Sequence, residues 1–194
     1  MRFFTADSHF SLKDCTTVIS RDFRPFKTLR EMNRKIIKVW NKQVKRSDVI
    51  YHLGDFSNFN MFDQESYDKC YDLVRKIKAD VVLICGNNEQ RLIEKNFDGD
   101  FQKFRNYLLA KGFMDVIKDG IEINIQGQKF YLNHYPKNHK AGMENLFGHI
   151  HGTGFVKPYG FNIGIDNKYL KMFSEDDIIE MVDRRKYFDE NVYN

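Results

Sequence analysis

Val81-Val82-Leu83-Ile84-Cys85-Gly86-Asn87-Asn88-Glu89 is the stretch that decides how this chain folds. Five consecutive apolar residues, rich in β-branched side chains, read as a buried strand, and the glycine stops it. Asn87 follows at once, so the strand delivers an oxygen donor at its carboxyl end. Two earlier stretches repeat the arrangement. Met1 to Thr5 reads as a strand running into Asp7-Ser8-His9, and Asp48 to Leu53 as a strand closed by Gly54-Asp55. Between them Leu29, Met32, Ile36, Val39, Trp40 and Val44 recur at helical spacing, which predicts an amphipathic helix from Thr28 to about Lys45. Tyr67, Cys70, Tyr71, Val74 and Ile77 predict a second helix. Strand, helix, strand, helix, strand argues for parallel pairing with helices packed on the sheet. Open α/β sheets bind ligands beyond the carboxyl ends of their strands, so Asp7, Asp55 and Asn87 are expected to converge.

The second half changes character. After helical segments near Leu92 and Phe104, Ile121, Ile123 and Ile125 alternate with polar residues, and a Gln126-Gly127-Gln128 turn leads to a strand from Lys129 to Leu132. Further strands are expected at Asn145 to Phe147 and Phe161 to Ile165. Ser174, with Asp177 three residues on, resembles a capping box before a final helix. No internal repeat, low-complexity stretch or linker interrupts the chain. The expectation is one α/β domain over residues 1–194, with a parallel half and a more antiparallel half.

Composition sets limits on the class. With 42% hydrophobic and 30% charged residues, the chain suits a globular protein rather than a disordered one. No apolar run is long enough to cross a bilayer, and the N-terminus lacks an apolar signal core, so a cytoplasmic protein with no membrane partner is expected. Cys15, Cys70 and Cys85 show no metal-ligand spacing and are expected to be reduced thiols. Net charge is +4, and cations crowd one stretch: Arg21, Arg24, Lys27, Arg30, Arg34, Lys35, Lys38, Lys42, Lys45 and Arg46, against Asp22 and Glu31. That stretch reads either as a face for polyanions such as nucleic acid or as an ordinary solvated helix face.

Five polar signatures remain: Asp7-Ser8-His9, Gly54-Asp55, Gly86-Asn87-Asn88-Glu89, His134 and Gly148-His149-Ile150-His151. Alone, each is an ordinary turn sequence or a single histidine. In this order, with strands before most of them, they offer enough oxygen and imidazole donors for two metal ions. If the chain stays extended there, the two-residue spacing of Asp7 and His9, and of His149 and His151, points both members of each pair the same way.

Taken in order, these motifs resemble the signature of the calcineurin-like metallophosphoesterases. Arg24-Pro25-Phe26, Glu31-Met32-Asn33, Trp40-Asn41, Tyr51-His52-Leu53-Gly54-Asp55-Phe56 and Asn162-Ile163-Gly164-Ile165-Asp166 look like small bacterial and phage members of that family. The resemblance implies a four-layer α/β/β/α sandwich. It also implies that Asp7, His9, Asp55 and His151 hold one divalent ion, that Asn87, His134 and His149 hold another, and that Asp55 bridges them. Manganese, iron, zinc, nickel or cobalt would suit such mixed ligands. The implied chemistry is phosphoester hydrolysis by a hydroxide shared between two metals.

One position departs from the pattern. Asn88 stands where the family has a histidine that meets the phosphoryl group and helps protonate the leaving oxygen, while Glu89, the acid that orients it, is kept. An amide donates hydrogen bonds but is no general acid near neutral pH. The expectation is therefore a phosphodiesterase, or an enzyme for good leaving groups. Its substrate would be a phosphorylated small molecule or nucleotide. His139 and His52 are the other imidazoles placed to give up a proton, and Arg24 and Lys27 could meet a phosphorylated substrate. The rival readings are a nuclease using the basic stretch and a metal-binding scaffold with little catalysis. The sequence specifies no oligomeric state.

Overall fold

The computed structural model describes residues 1–11, 24–58 and 63–191, with side chains through residue 187; Cys15, Arg21 and Asp22 lie outside the described residues. Two five-stranded sheets form the frame. The first uses β1 (Arg2–Thr5), β2 (Val49–Leu53), β3 (Asp80–Ile84), β4 (Asp115–Ile117) and β10 (Phe173–Ser174) in the order β10-β1-β2-β3-β4. β1 to β4 pair in parallel, as the alternation of strands and helices demands, and β10 closes the edge antiparallel. The second sheet uses β5 (Gly120–Ile125), β6 (Gln128–Asn133), β7 (Glu144–Phe147), β8 (Val156–Lys157) and β9 (Gly160–Asn162), ordered β5-β6-β7-β9-β8.

The second sheet is not simply antiparallel. β5 and β6 form the expected hairpin, but β6, β7 and β9 run parallel. That difference positions the site, because His134, His149 and the Asn162–Asp166 segment all follow the carboxyl ends of parallel strands.

Helices flank the two sheets, as expected for the α/β/β/α class. α1 (Leu29–Gln43) starts at Thr28, whose side chain accepts from Glu31 N at 3.1 Å. Its buried Met32, Ile36 and Trp40 meet Phe3, Ile50 and Val81 from one face of the first sheet. α2 (Gln64–Tyr71) adds Tyr67 and Tyr71 to that core, and α4 (Phe101–Lys111) adds Phe104 and Leu108. α3 (Asn87–Asn96) opens directly after β3. Side chains alternate along a strand, so Phe4, Leu53 and Ile84, an odd number of residues further on, face the other way. They pack between the sheets with Ile125, Phe130, Leu132, Leu146 and Phe161, joined by Ile178 and Val182 of α5 (Glu175–Asn191). The capping box holds: Asp177 N donates to Ser174 Oγ at 3.1 Å and Ser174 N to Asp177 Oδ2 at 2.7 Å.

Two local expectations shift: the second helix tightens into a 3₁₀ turn at Asp72–Lys76, and the last predicted strand stops at Asn162, with Ile165 opening a 3₁₀ turn. β4, a three-residue edge strand, is one that the sequence does not predict. Cys70 and Cys85 are buried.

His52 on β2 belongs to this core. It is fully buried against Trp40 and Phe56. Ser8 Oγ donates to Phe56 O at 2.9 Å, so the 2.9 Å contact between Ser8 Oγ and His52 Nε2 has the imidazole as donor. Burial, with the charges of His134 and Arg24, pushes its pKa down to about 3. Unfolded, it titrates near ~6.5, so the unfolded chain binds more protons between these values. Stability from neutral His52 is present above ~6.5 and is lost as pH falls toward 3. His52→Gln is expected to flatten the acid loss of stability by up to about 1.4 kcal/mol per pH unit in that window. Urea unfolding from pH 7 to 4 measures this; a slope equal to that of the unaltered chain contradicts it.

Candidate metal centre

The loops after β1, β2 and β3 carry Asp7, Asp55 and Asn87, as expected, but not with extended backbone. Asp7, His9, Asp55, His149 and His151 all have positive φ, from 47° to 73°. They make up five of the nine non-glycine residues in that region among the described residues, so the strain concentrates here. Asp and His tolerate it better than most types, though each left-handed residue still costs ~1–2 kcal/mol. Ligand pairs two residues apart converge through kinks rather than through a strand's alternation.

Hydrogen bonds hold these kinks. Asp7 N donates to Gly54 O at 3.0 Å, His9 N to Asp55 O at 3.0 Å and Phe10 N to Phe56 O at 2.8 Å, so the first loop zips onto the second. Glu89 fixes the second loop to the third. Its buried carboxylate accepts from Asp55 N and Gly86 N at 2.8 Å, from Phe56 N at 3.0 Å and from Tyr71 Oη at 3.2 Å. Burial first, then the nearby Asp55 charge, raises its pKa despite those donors. Gly54 and Gly86 are required by close approach: a Cβ on Gly54 would stand 2.6 Å from Gly86 Cα and 2.7 Å from His134 Nδ1.

All seven expected ligand residues come together. Donor atoms of Asp7, His9 and His151 lie within 4.8 Å of one another, as do those of Asp7, Asp55 and His134. Asp7 belongs to both groups, and Asp55 reaches from the second toward the first, with Oδ1 3.6 Å from His134 Nε2 and Oδ2 3.7 Å from His9 Nε2. Asn87 Oδ1 is 3.0 Å from His134 Nε2 and 2.9 Å from His149 Nδ1. Asp7 lies in a tight slot, its carboxylate accepting from His149 N at 3.0 Å, and a Cβ on Gly148 would reach its Oδ2 at 2.6 Å.

The chemistry of this donor set suits cations. His134 Nδ1 lies 2.7 Å from Leu53 O, and a carbonyl can only accept, so the ring donates there. The neutral ring then carries its lone pair on Nε2, facing Asn87 Oδ1. Asn87 Nδ2 is turned away, donating to Asn88 Oδ1 at 3.1 Å. Two acceptors 3.0 Å apart repel unless positive charge joins them. His9 Nε2 is also buried without a hydrogen-bond partner among the described residues. Burial raises Asp7 to about 6, with Asp55 adding to the rise, and burial raises Asp55 to about 6 as well. His9 is pushed well below its ordinary value by burial and His151, and His149 falls to about 4 through burial, His134 and His151. Burial would also lower His151, but its hydrogen bond to Asp166 and the charge of Asp7 outweigh that. Buried carboxylates reluctant to ionise, beside the His9 and His149 imidazoles that burial disfavours as cations, are groups that a divalent cation would stabilise.

The other expected site residues take different places. Asn88 is buried and does not face outward: its Nδ2 donates to Ser57 O at 2.9 Å and approaches His9 Nδ1 at 3.2 Å, while Asn88 N donates to Asp55 Oδ1 at 2.9 Å. His139 is exposed and stacks on Tyr159 with centroids 4.1 Å apart. It lines a surface cavity with Lys129, Lys140 and Lys186, and none of the seven ligand residues lines that cavity. Arg24 is no substrate contact; it is buried, paired with Asp166, and donates to the carbonyls of Asp7 and Ser8. Lys27 is exposed on the loop before α1. Asp166 escaped the sequence reading although Asn162-Ile163-Gly164-Ile165-Asp166 stood out; its partners, Arg24 and His151, are far away in sequence.

An uncharacterized protein of Methanocaldococcus jannaschii, MJ1445, is 25% identical over 194 residues, covering 95% of this chain and 92% of the relative. The solved structure of AQ665, a protein of unknown function from Aquifex aeolicus, shares the fold with a TM-score of 0.63 at 20% identity, over 93% of this chain and 98% of that one. A structure described as a novel archaeal phosphodiesterase aligns with a TM-score of 0.46 at 18% identity, over 84% of this chain and 82% of that one. The sequence profile of the calcineurin-like phosphoesterases matches residues 3–186, which include every residue of the cluster. The chain belongs to the calcineurin-like phosphoesterase family.

Proposed function

We propose that this protein is a metal-dependent phosphoesterase working with two divalent ions. Asp7, His9, Asp55 and His151 would hold one, Asn87, His134 and His149 the other, and Asp55 would serve both. The observation that carries this reading is the pair of acceptors, His134 Nε2 and Asn87 Oδ1, facing each other at 3.0 Å beside the Asp55 carboxylate. Bound ions would acidify a water to make a nucleophile and offset charge on the phosphoryl oxygens. The chain's own residues fix the geometry. The Glu89 clamp holds the Asp55 loop, and Leu53 O holds the His134 tautomer.

The leaving group decides the substrate class. Asn88 donates to Ser57 O and is packed against His9, Glu89 spends its carboxylate on backbone N–H groups and Tyr71, and His139 lies in another cavity. None of the three is placed to protonate a poor leaving group. The reading is therefore phosphodiesters or other esters with good leaving groups, since losing general acid help typically costs on the order of 10²- to 10⁴-fold. With manganese present, aryl diesters are expected to turn over at least about 10²-fold faster than alkyl monoesters. Equal turnover of alkyl monoesters would sink the diester assignment. Asp55→Asn is expected to weaken metal binding more than about tenfold and to remove most turnover on the same panel.

A nuclease is the second reading, and one observation favours it. Arg30, Arg34, Lys35 and Lys38 stand exposed on α1 with no ion-pair partner among the described residues. Arg30 and Arg34 also line a groove of about 510 Å³ with Lys76. A crossover helix runs back against its parallel strands, so the amino end of α1 lies at the edge where the strands deliver their ligands. Oligonucleotide binding that weakens steeply with salt, and is lost in Lys35→Glu/Lys38→Glu, supports this reading. Binding indifferent to both changes removes it.

A further inference from the structure

Outside the seven ligand residues, the most closely built polar feature is the segment from Asn162 to Asn167. It meets His151 at three points. Asn162 Nδ2 donates to His151 O at 2.5 Å, Asn167 Nδ2 donates to the same oxygen at 3.0 Å, and His151 Nδ1 lies 3.0 Å from Asp166 Oδ2. The segment is tied to the residue after β1, since Ile165 N donates to Ala6 O at 3.1 Å, and it is braced internally by Gly164 N donating to Asn162 Oδ1 at 3.0 Å. Asp166 is itself gripped. Arg24 Nε donates to Oδ1 at 2.7 Å and Arg24 Nη2 to Oδ2 at 3.0 Å, both side chains being almost wholly buried. The same guanidinium donates to Ser8 O at 2.7 Å and to Asp7 O. One arginine therefore sets both the loop that carries Asp7 and the carboxylate that faces His151.

We propose that Asp166 is a positioning residue: held by Arg24, it fixes His151 as the Nδ1–H tautomer and places the ring's lone pair on Nε2, toward a divalent ion shared with Asp7 and His9. The inference rests on reading the cluster as a metal centre. A carboxylate can only accept, so the contact to Nδ1 needs the proton on that nitrogen. A ligating imidazole in metal proteins is generally held this way through its other nitrogen. An ion pair serving the fold alone would be satisfied by Arg24 and would have no need to face an imidazole. Nor would two further amides then need to hold that residue's carbonyl at a left-handed φ of 48°.

Asp166→Asn keeps the Oδ1 acceptor for Arg24 Nε but puts an NH₂ where Oδ2 meets both Arg24 Nη2 and His151 Nδ1, which turns Nδ1 into an acceptor and moves the proton to Nε2. Manganese affinity is read by titration calorimetry on chelator-stripped protein whose folding is checked by circular dichroism. It is expected to fall about 10- to 100-fold in Asp166→Asn. The double variant with His151→Ala is expected to bind little worse than His151→Ala alone, because Asp166 acts through that ring. Unchanged affinity in Asp166→Asn, or fully multiplicative losses in the double variant, overturns the proposal. Should Asp166→Asn fail to fold, ¹⁵N NMR of the unaltered, metal-free protein at alkaline pH reads the tautomer directly. An Nδ1–H signal for His151 supports the role, and an Nε2–H signal overturns it. This readout needs no metal, so a chain that binds none would count against the metal centre while leaving the tautomer test decided on its own.

Discussion

Too many acceptors meet at the sheet ends with too little positive charge between them, and the rest of the structure is arranged around that imbalance. Asp7 and Asp55 are buried carboxylates, and Asn87 Oδ1, an acceptor, faces His134 Nε2 at 3.0 Å. Burying such groups unpaired is costly, and a chain whose only task was to fold would gain from apolar residues there. The Arg24 guanidinium does not relieve the imbalance, because it is turned to Asp166 and to backbone carbonyls. The cluster is intelligible as a site that keeps stability in reserve for a cation.

Holding acceptors together against their repulsion needs a rigid frame, and two sets of parallel strands supply it. β1, β2 and β3 deliver Asp7, Asp55 and Asn87 from one sheet, while β6, β7 and β9 deliver His134, His149 with His151, and the Asn162–Asp166 segment from the other. The inter-sheet core of Phe4, Leu53, Ile84, Leu132, Leu146 and Phe161 fixes the distance between them. Glu89 and Arg24 then work as two internal clamps. Glu89 joins the second and third loops of the first sheet, and Arg24 joins its first loop to the second sheet's last segment.

Much of this is legible in the sequence, for physical reasons. An apolar run stopped by Gly54 or Gly86 marks a strand end, so Asp55 and Asn87 could be placed just beyond the strands of the first sheet by pattern alone. The left-handed turns at Asp7, His9, His149 and His151 carry no glycine to announce them, and an extended reading of Asp-x-His was the natural error. β4 is too short to show a period. The parallel pairing of β6, β7 and β9 depends on long-range registry rather than on local alternation. Asp166 is the instructive miss: its partners lie 142 and 15 residues away, and only the folded chain joins them. Asn88 shows the converse. Its identity raised the question of the missing acid, but only the structure shows its side chain turned inward to Ser57 and His9.

The central claim concerns charge and stoichiometry, so the most direct measurement is elemental analysis of the purified chain, before chelation and after reloading with manganese. The account predicts two divalent ions per chain at saturation, with a clear rise in Tm on reloading, because ions that bind only the folded state stabilise it. A folded chain that takes up no divalent ion, and whose Tm is indifferent to manganese, would contradict it.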